Sequence, residues 1–422
     1  MNVRICPHPL SGLIAAPSSK SEAHRLLICA ALSDQQTYIH INSTSEDIEA
    51  TVGCLQALGA EITQSEGVLK VIPIKNAPDT PLLDCRESGS TLRFLLPVAS
   101  ALCEQVSFTG SGRLPERPIG ELLTEMEQHG VSSASQKLPL TTEGFLRPGE
   151  YKLPGNISSQ YITGLLLALP LLEGDSQLTI TSPLQSAAYV DITLNVLSRF
   201  GVHPKIQRDT QDHLVNCRIS GSTLHSPGTV SVDGDWSNAA FFLAAGALCG
   251  MVSVTGLDVQ SPQGDKRILD LLQSFGAKVE IQREKITVSP APLHGQEIDI
   301  APIPDLLPVL AAVAANSEGI TTFFNGSRLR LKESDRLAST AAMIRSLGGT
   351  VQELSDKIVV QGTSLTGGNV DGCHDHRIVM AAAIAALCCT NNVIITGFEA
   401  INKSYPHFFK DYKTLGGEVY VL

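Results

Sequence analysis

Charge is scarce in this 422-residue sequence. Only 17% of its residues are Asp, Glu, Lys or Arg, against about 25% in a typical soluble domain. Hydrophobic residues reach 43%, which excludes intrinsic disorder. The charge present is biased: 31 basic residues face 42 acidic ones, a formal net charge of −11. A chain of that sign repels a phosphate backbone at long range, so nucleic acid is not an expected partner. Aromatics are 5%, with a single Trp, poor material for base-stacking platforms. Long apolar runs are missing too. The longest, near 161–172 and 378–389, fall short of the ~18 residues that suggest a membrane span. Pro7, Pro9 and Pro17 interrupt the stretch where a signal peptide would need a continuous apolar segment. None of the ten cysteines forms a C-x-x-C pair, and several sit in apolar runs where a free thiol behaves as a small hydrophobe. A reduced, soluble, cytoplasmic and monomeric protein is expected. Neither G-x-S-x-G nor G-x-x-x-x-G-K-[ST] occurs, which removes those nucleophile and phosphate-loop chemistries.

What is present is a repeat. Six amphipathic segments end in a similar phrase: LQALGAEI, MEQHGVSS, LSRFGVHP, LQSFGAKV, IRSLGGTV and YKTLGGEV. Their glycines, Gly59, Gly130, Gly201, Gly276, Gly348 and Gly416, are 71, 71, 75, 72 and 68 residues apart. Glycine there suits the left-handed position that ends a helix. A second series keeps step with the first. Six small-residue apolar segments open at Ser21, Ser90, Ser158, Ser237, Asp305 and Asp375 and read as buried helices. Strands such as VSFTG, QLTITS, MVSVTG and NVIITG follow the buried helices. Each unit of about 70 residues thus carries a buried helix, an amphipathic helix and short strands. Both series stretch between Gly201 and Ser237, where STLHSPGTV (222–230) reads as a linker. Two similar α/β domains of three units each are expected. The strand near residues 3–6 completes the second, and the chain crosses between them near 14–19 and 224–231.

Ser and Asp are good N-caps, and each opening residue read alone is a cap. Their company points further. Lys20, Arg25, Arg93 and Arg377 lie at or near these helix starts, where a cation opposes the helix macrodipole. A bound anion would remove that conflict and use the exposed N–H groups. The loop GSGRLPERPIG adds Arg113 and Arg117, and RLRLKESDRL adds Arg328, Arg330, Lys332, Glu333 and Arg336. Arg is suited to bidentate recognition of carboxylate or phosphate. A cationic cleft in an acidic protein implies small substrates with several anionic groups. Cys373, His374, Asp375 and His376 cluster without a second ligand group at metal spacing, so no metal is expected.

The motifs PSSKSEAHR, SGSTLRFL, ERPIG, SSQYITGLLLALP, AYVDITLNVL, GDWSNAAFFLAAGAL, IPD (303–305), KESDRL, DHRIVMA and KSYPHFF span nearly the whole chain. Together they resemble the 3-phosphoshikimate 1-carboxyvinyltransferase (EPSP synthase) family. The resemblance implies a two-domain inside-out α/β barrel of six βαβαββ-type repeats, three per domain. One domain would be 1–16 plus 229–422, the other 17–228, with the active site in the cleft between them. It implies transfer of the carboxyvinyl group of phosphoenolpyruvate to the 5-hydroxyl of 3-phosphoshikimate, by addition and elimination, without a cofactor. By resemblance, Ser21, Arg25, Ser158, Ser159, Ser186 and Tyr189 would hold the shikimate phosphate, and Asp305 and Lys332 its hydroxyls. Gly89, Arg117, Arg336, Arg377 and Lys403 would hold phosphoenolpyruvate, with Lys20 and Gln160 serving both substrates. Asp305 would be the base and Glu333 the acid, with Lys332 and Lys20 as further proton carriers. One departure stands out: Glu87-Ser88-Gly89-Ser90 replaces the Asn-Ala-Gly-Thr of many members. The same-fold UDP-N-acetylglucosamine carboxyvinyltransferase and a non-catalytic anion-binding protein of this fold are the alternatives.

Overall fold

Twelve α-helices occur among the residues that the computed structural model describes, 1–210 and 213–422. They alternate in character along the chain. The odd-numbered helices are the small-residue apolar segments: α1 (Lys20–Ala31), α3 (Gly89–Leu102), α5 (Ser159–Ala168), α7 (Trp236–Leu248), α9 (Leu307–Ala315) and α11 (His376–Ala385). The even-numbered ones are one-sided: α2 (Glu46–Ala57), α4 (Gly120–Glu127), α6 (Ala188–Arg199), α8 (Ile268–Phe275), α10 (Arg336–Ser346) and α12 (Phe408–Thr414). The six phrase glycines follow the even helices with φ between 78° and 119°, a range that L-residues avoid. No helix among the described residues is long and apolar enough to cross a membrane.

The chain divides into two units, Met1–Pro17 with Asp233–Leu422, and Ser18–Val232. Each has its own apolar core. In the first, α7, α9 and α11 pack on one another, and each backs onto strands of its own repeat. In the second, α3 packs on α5 and α1 on α6. Helices fill the middle and sheets form the rim, because an all-apolar helix needs cover on every side while a strand that alternates needs it on one.

Each unit carries three four-stranded sheets with one pattern: a parallel pair at one edge, then two antiparallel neighbours. Three sheets borrow a strand from where the chain passes between units. Asn2–Cys6 lies between Val393–Thr396 and Glu418–Val421, antiparallel to both. Gly12–Ala15 is the parallel partner of Val252–Thr255. Thr229–Ser231 is the parallel partner of Thr37–His40. The stretch 222–230 is therefore not the linker expected: it ends in a sheet strand, and Leu224 bridges Ser33 on the way.

The helix starts correct the sequence reading in detail. The N-caps are Ser19, Ser88, Ser158, Asp235 and Asp375, each accepting a backbone N–H. At α1, α3 and α7 the cap stands two residues before the expected Ser21, Ser90 and Ser237. Each of these openings carries two polar residues spaced by two, and only the first has the extended backbone of a cap. Asp305 does not stand at the cap position expected. It sits in the 3₁₀ turn Pro304–Leu306 ahead of α9, whose own cap position is Leu306. Pro304 and Pro308 remove amide donors at that start, which leaves the Asp305 carboxylate for other partners.

Candidate functional site

The Ser18–Val232 unit gathers cations at its helix openings. Lys20, first residue of α1, bonds Asp47 Oδ2 through Nζ at 2.7 Å. Arg25, one turn further, is 2% exposed. Its Nε donates to Thr193 Oγ1 at 2.8 Å, its Nη1 to Ser21 O at 2.5 Å, and its Nη2 to Tyr189 O at 2.8 Å and Thr163 Oγ1 at 3.2 Å. The guanidinium lies 4.8 Å from the Phe94 ring centroid. Burial pushes its pKa down to about 10, against the pull of Tyr189. Four bonds from three elements leave this side chain one orientation.

Gly89 opens α3 beneath two further guanidinium groups. A Cβ there would come to 2.5 Å from Arg93 Nη1 and 2.8 Å from Arg117 Nη1. Arg93 Nη1 donates to Gln160 Oε1 at 3.0 Å, and Gln160 Nε2 to Ser90 Oγ at 2.9 Å. Arg93 Nη2 and the Tyr161 hydroxyl both take Pro118 O, at 3.0 and 2.6 Å, which pins the backbone beside Arg117. Ser158 caps α5 by accepting from Gln160 N, and Ser159 is that helix's first residue. Ser186 has a φ of 56°, and its carbonyl accepts from Tyr189 N at 3.2 Å. The carboxylate of Glu87 lies against Gly112, in the loop that carries Arg113.

In the other unit one ion-pair network joins the ends of α9, α10 and α11. Asp305 Oδ1 takes Arg336 Nη1 at 2.5 Å and faces Lys332 Nζ at 3.7 Å, while Oδ2 takes Arg377 Nη2 at 3.2 Å. Arg336 Nη2 also reaches Glu333 Oε2 at 2.7 Å, and its Nε reaches Asp375 Oδ2 at 2.8 Å. Asp375, fully buried, accepts from Ser334 Oγ at 3.0 Å as well. Burial opposes the Arg336 charge, yet Asp375, Glu333 and Asp305 hold its pKa well above the ordinary value. Burial pushes the Lys332 ammonium below its usual range, against Asp305. Lys403 donates to His374 O at 2.8 Å.

Of the residues singled out from the sequence, Arg25, Ser21 and Tyr189 thus meet, as do Gly89 and Arg117, and Asp305, Lys332, Glu333, Arg336 and Arg377. Lys20 meets Asp47, which the sequence reading missed. Asp47 follows the cap Ser45 among three acids of one helix turn, a pattern that looks like an ordinary helix start. Asp265 was missed as well. It is 3% exposed and takes the hydroxyl of Ser237 through Oδ2. Burial, reinforced by Asp305 and opposed by Arg377, raises its pKa to about 6. A carboxyl near 3.9 when unfolded then binds more protons in the folded state between pH 4 and 6, so it lowers stability as pH rises through that window. Asn keeps an acceptor for Ser237 and does not titrate. Asp265→Asn should gain about 2–3 kcal/mol on the wild type between pH 4 and pH 8. Denaturant melts at the two pH values check this, and a variant that loses ground as pH rises contradicts it.

A family model described as EPSP synthase (3-phosphoshikimate 1-carboxyvinyltransferase) matches residues 6–412. The 3-phosphoshikimate 1-carboxyvinyltransferase of Clostridium novyi (strain NT) is 41% identical over 429 residues, covering 99% of this chain and 98% of that protein. The protein of the same name from Clostridioides difficile (strain 630) is 38% identical, over 99% of this chain and 98% of that one. Among solved structures, an EPSP synthase from Acinetobacter baumannii superposes with a TM-score of 0.82 at 24% identity, covering 100% of both chains. The enolpyruvyl transferase NikO from Streptomyces tendae gives a TM-score of 0.78 at 18% identity, over 99% of this chain and 98% of that one. The two superpositions bear on the fold.

Proposed function

Because the chain belongs to the EPSP synthase (3-phosphoshikimate 1-carboxyvinyltransferase) family, we propose that its two cation-rich groups of residues together serve one transfer reaction. The carboxyvinyl group of phosphoenolpyruvate passes to the 5-hydroxyl of 3-phosphoshikimate, releasing phosphate, in the shikimate pathway to chorismate and the aromatic amino acids. The observation that carries the chemistry is the Asp305 carboxylate held by Arg336 and Arg377 with Lys332 nearby. The enzyme works as a cytoplasmic monomer.

Addition needs a base for the hydroxyl proton and an acid for C3 of phosphoenolpyruvate. Asp305 takes the first proton and Glu333 gives the second, which yields a tetrahedral ketal. In the elimination the same groups reverse: Glu333 takes a proton from the C3 methyl, and Asp305 returns its proton to the departing phosphate. Both carboxylates share Arg336, and a cation partner favours the ionised form. Phosphoenolpyruvate engaging Arg336, Arg377 and Lys403 competes for those donors, which raises the proton affinity of Asp305 and Glu333 as the reaction begins. Gly89 and Arg117 complete the phosphoenolpyruvate side, and Lys20 and Gln160 serve both substrates. Ser21, Arg25, Ser158, Ser159, Ser186 and Tyr189 hold the shikimate phosphate, with Asp305 and Lys332 on its hydroxyls. The cations stabilise charge on phosphate and carboxylate throughout.

Phosphate release measured with phosphoenolpyruvate and either 3-phosphoshikimate or UDP-N-acetylglucosamine tests this reading. Turnover with the first acceptor alone is expected. Turnover with the second, or with neither, overturns it.

Gly89 gives a sharper check. The atoms its Cβ would meet are the far ends of the Arg93 and Arg117 side chains, and Arg93 must strain its bonds to Gln160 and Pro118 to make room. Moving them displaces the donors aimed at phosphoenolpyruvate. Gly89→Ala is expected to remain folded, with some loss of melting temperature, and to raise the KM for phosphoenolpyruvate at least tenfold, about 1.4 kcal/mol of binding. An unchanged KM in the folded variant removes Gly89 from the site.

A further inference from the structure

We infer that His24 is a positioning residue for the phosphoenolpyruvate side, holding the openings of α1, α2 and α3 in register through a chain of buried hydroxyls. The inference rests on the reading of Gly89 as a phosphoenolpyruvate residue. His24 lies on α1, one turn after Lys20, and is fully buried. Its Nδ1 meets Thr51 Oγ1 of α2 at 2.7 Å. Thr51 Oγ1 meets Thr91 Oγ1 of α3 at 2.7 Å. Thr91 Oγ1 donates to Ser88 Oγ, also at 2.7 Å. Ser88 caps α3, accepting from Thr91 N at 3.2 Å, and stands immediately before Gly89. Thr51 and Thr91 are fully buried and Ser88 is 1% exposed, so water offers these groups no substitute.

The chain has one consistent direction. Burial, with Lys20 and Arg25 nearby, keeps the imidazole neutral, so it carries one N–H. His24 Nε2 is buried and has no hydrogen-bond partner. A proton placed there would be an orphaned donor bearing its full desolvation cost. The proton therefore belongs on Nδ1, which donates to Thr51. Thr51 then donates to Thr91, and Thr91 to Ser88. Every step moves toward the residue beside Gly89. One turn before Thr51, α2 supplies Asp47, whose carboxylate holds Lys20 and whose carbonyl lies 3.4 Å from Thr91 Oγ1. Gly89 is thus fixed, through Ser88, by a network that starts at His24. Arg25, the next residue along, is fixed by Thr193, Thr163, Ser21 O and Tyr189 O, none of which belongs to it. Removal of His24 should consequently disturb one substrate and spare the other.

The experiment uses the full chain and three single variants. His24→Leu removes the first donor. Thr51→Val breaks the chain with His24 in place and guards against a His24→Leu protein that does not fold. His24→Asn returns an N–H at the same number of bonds from the backbone as Nδ1. His24→Leu and Thr51→Val should each raise the KM for phosphoenolpyruvate about tenfold, with the KM for 3-phosphoshikimate within about twofold of wild type. Combining the two should be no worse than either alone, as expected of links in one network. His24→Asn should recover to within about threefold of wild type. A purely packing role predicts lower melting temperatures, an unchanged phosphoenolpyruvate KM and no rescue by Asn, and that result overturns the inference. Failure of the functional reading is separate, since it shows as absent turnover in the wild-type protein.

Discussion

Asp305→Asn is expected to cut kcat by about 10²–10⁴, the range for loss of a positioned proton-transfer group. Asn fills the same space and cannot accept the hydroxyl proton. The substitution is not structurally silent here, because Asp305 does not stand at the cap position of α9. Its two oxygens separately serve Arg336 and Arg377, and Asn would turn an NH₂ toward one of them. Some loss of melting temperature therefore accompanies the loss of turnover. Binding separates the two effects. Arg25 and the serines near it belong to the other unit and are untouched, so 3-phosphoshikimate affinity should fall by less than about tenfold, one pKa-sized increment of 1.4 kcal/mol. Near-normal kcat in a folded Asp305→Asn protein would remove Asp305 from the mechanism. The proton would then pass to Lys332, whose ammonium burial already disfavours.

The repeat was legible because it is written in the coarsest physical signals. Six apolar helices need cover on all sides, and six glycines each sit where a helix ends in a left-handed residue. Both follow from composition at fixed spacing. The helix starts were less legible. In Ser19-Lys20-Ser21, Ser88-Gly89-Ser90 and Asp235-Trp236-Ser237, two residues of each triplet are able to cap, and only backbone dihedrals select the first. Residues 222–230 looked like a linker because an edge strand of three residues carries too little alternation to be seen. Its hydrogen bonds go to Thr37–His40, nearly two hundred positions away in the sequence.

Within the site the division has the same cause. The arginines stood out because a cation at a helix start is locally unfavourable, and a local conflict is visible in a string. Partnerships are not. Arg336 and Arg377 lie 31 and 72 residues from Asp305, and nothing in IPD announces either. Asp47, Asp265 and His24 carry no local conflict at all. An acid in a first helix turn, an acid in a short 3₁₀ turn and a His within an apolar helix are each unremarkable until the fold supplies Lys20, Arg377 or Thr51.

Asp375→Ala is expected to have the largest effect on stability. The carboxylate is fully buried, and Arg336 beside it is 1% exposed. Removing one member of a buried ion pair costs about 3–5 kcal/mol, because the other charge is left without compensation. Asp375 also caps α11, a role worth about 1 kcal/mol. Two other carboxylates, Asp305 and Glu333, still face Arg336, which places the pair loss at the lower end of its range. The total is then about 4 kcal/mol. Asp375→Asn keeps the cap and should fall short of the Ala loss by about 1 kcal/mol. The pH dependence carries a definite sign. Burial acts to raise the Asp375 pKa, but Arg336 overrides it and holds the carboxyl below its ordinary value. Its contribution is therefore complete above the unfolded pKa near 3.9 and is lost as pH falls through the lower folded value. The gap between wild type and Asp375→Ala should accordingly be full at pH 7 and narrow only below about pH 4. Trp236 is the sole Trp of the chain, fully buried on α7 in the same unit as Asp375, so its fluorescence in urea follows that unit's unfolding. A loss under about 1 kcal/mol at pH 7 would leave only the capping term, and Asp305 with Glu333 would then be the whole counter-charge of Arg336.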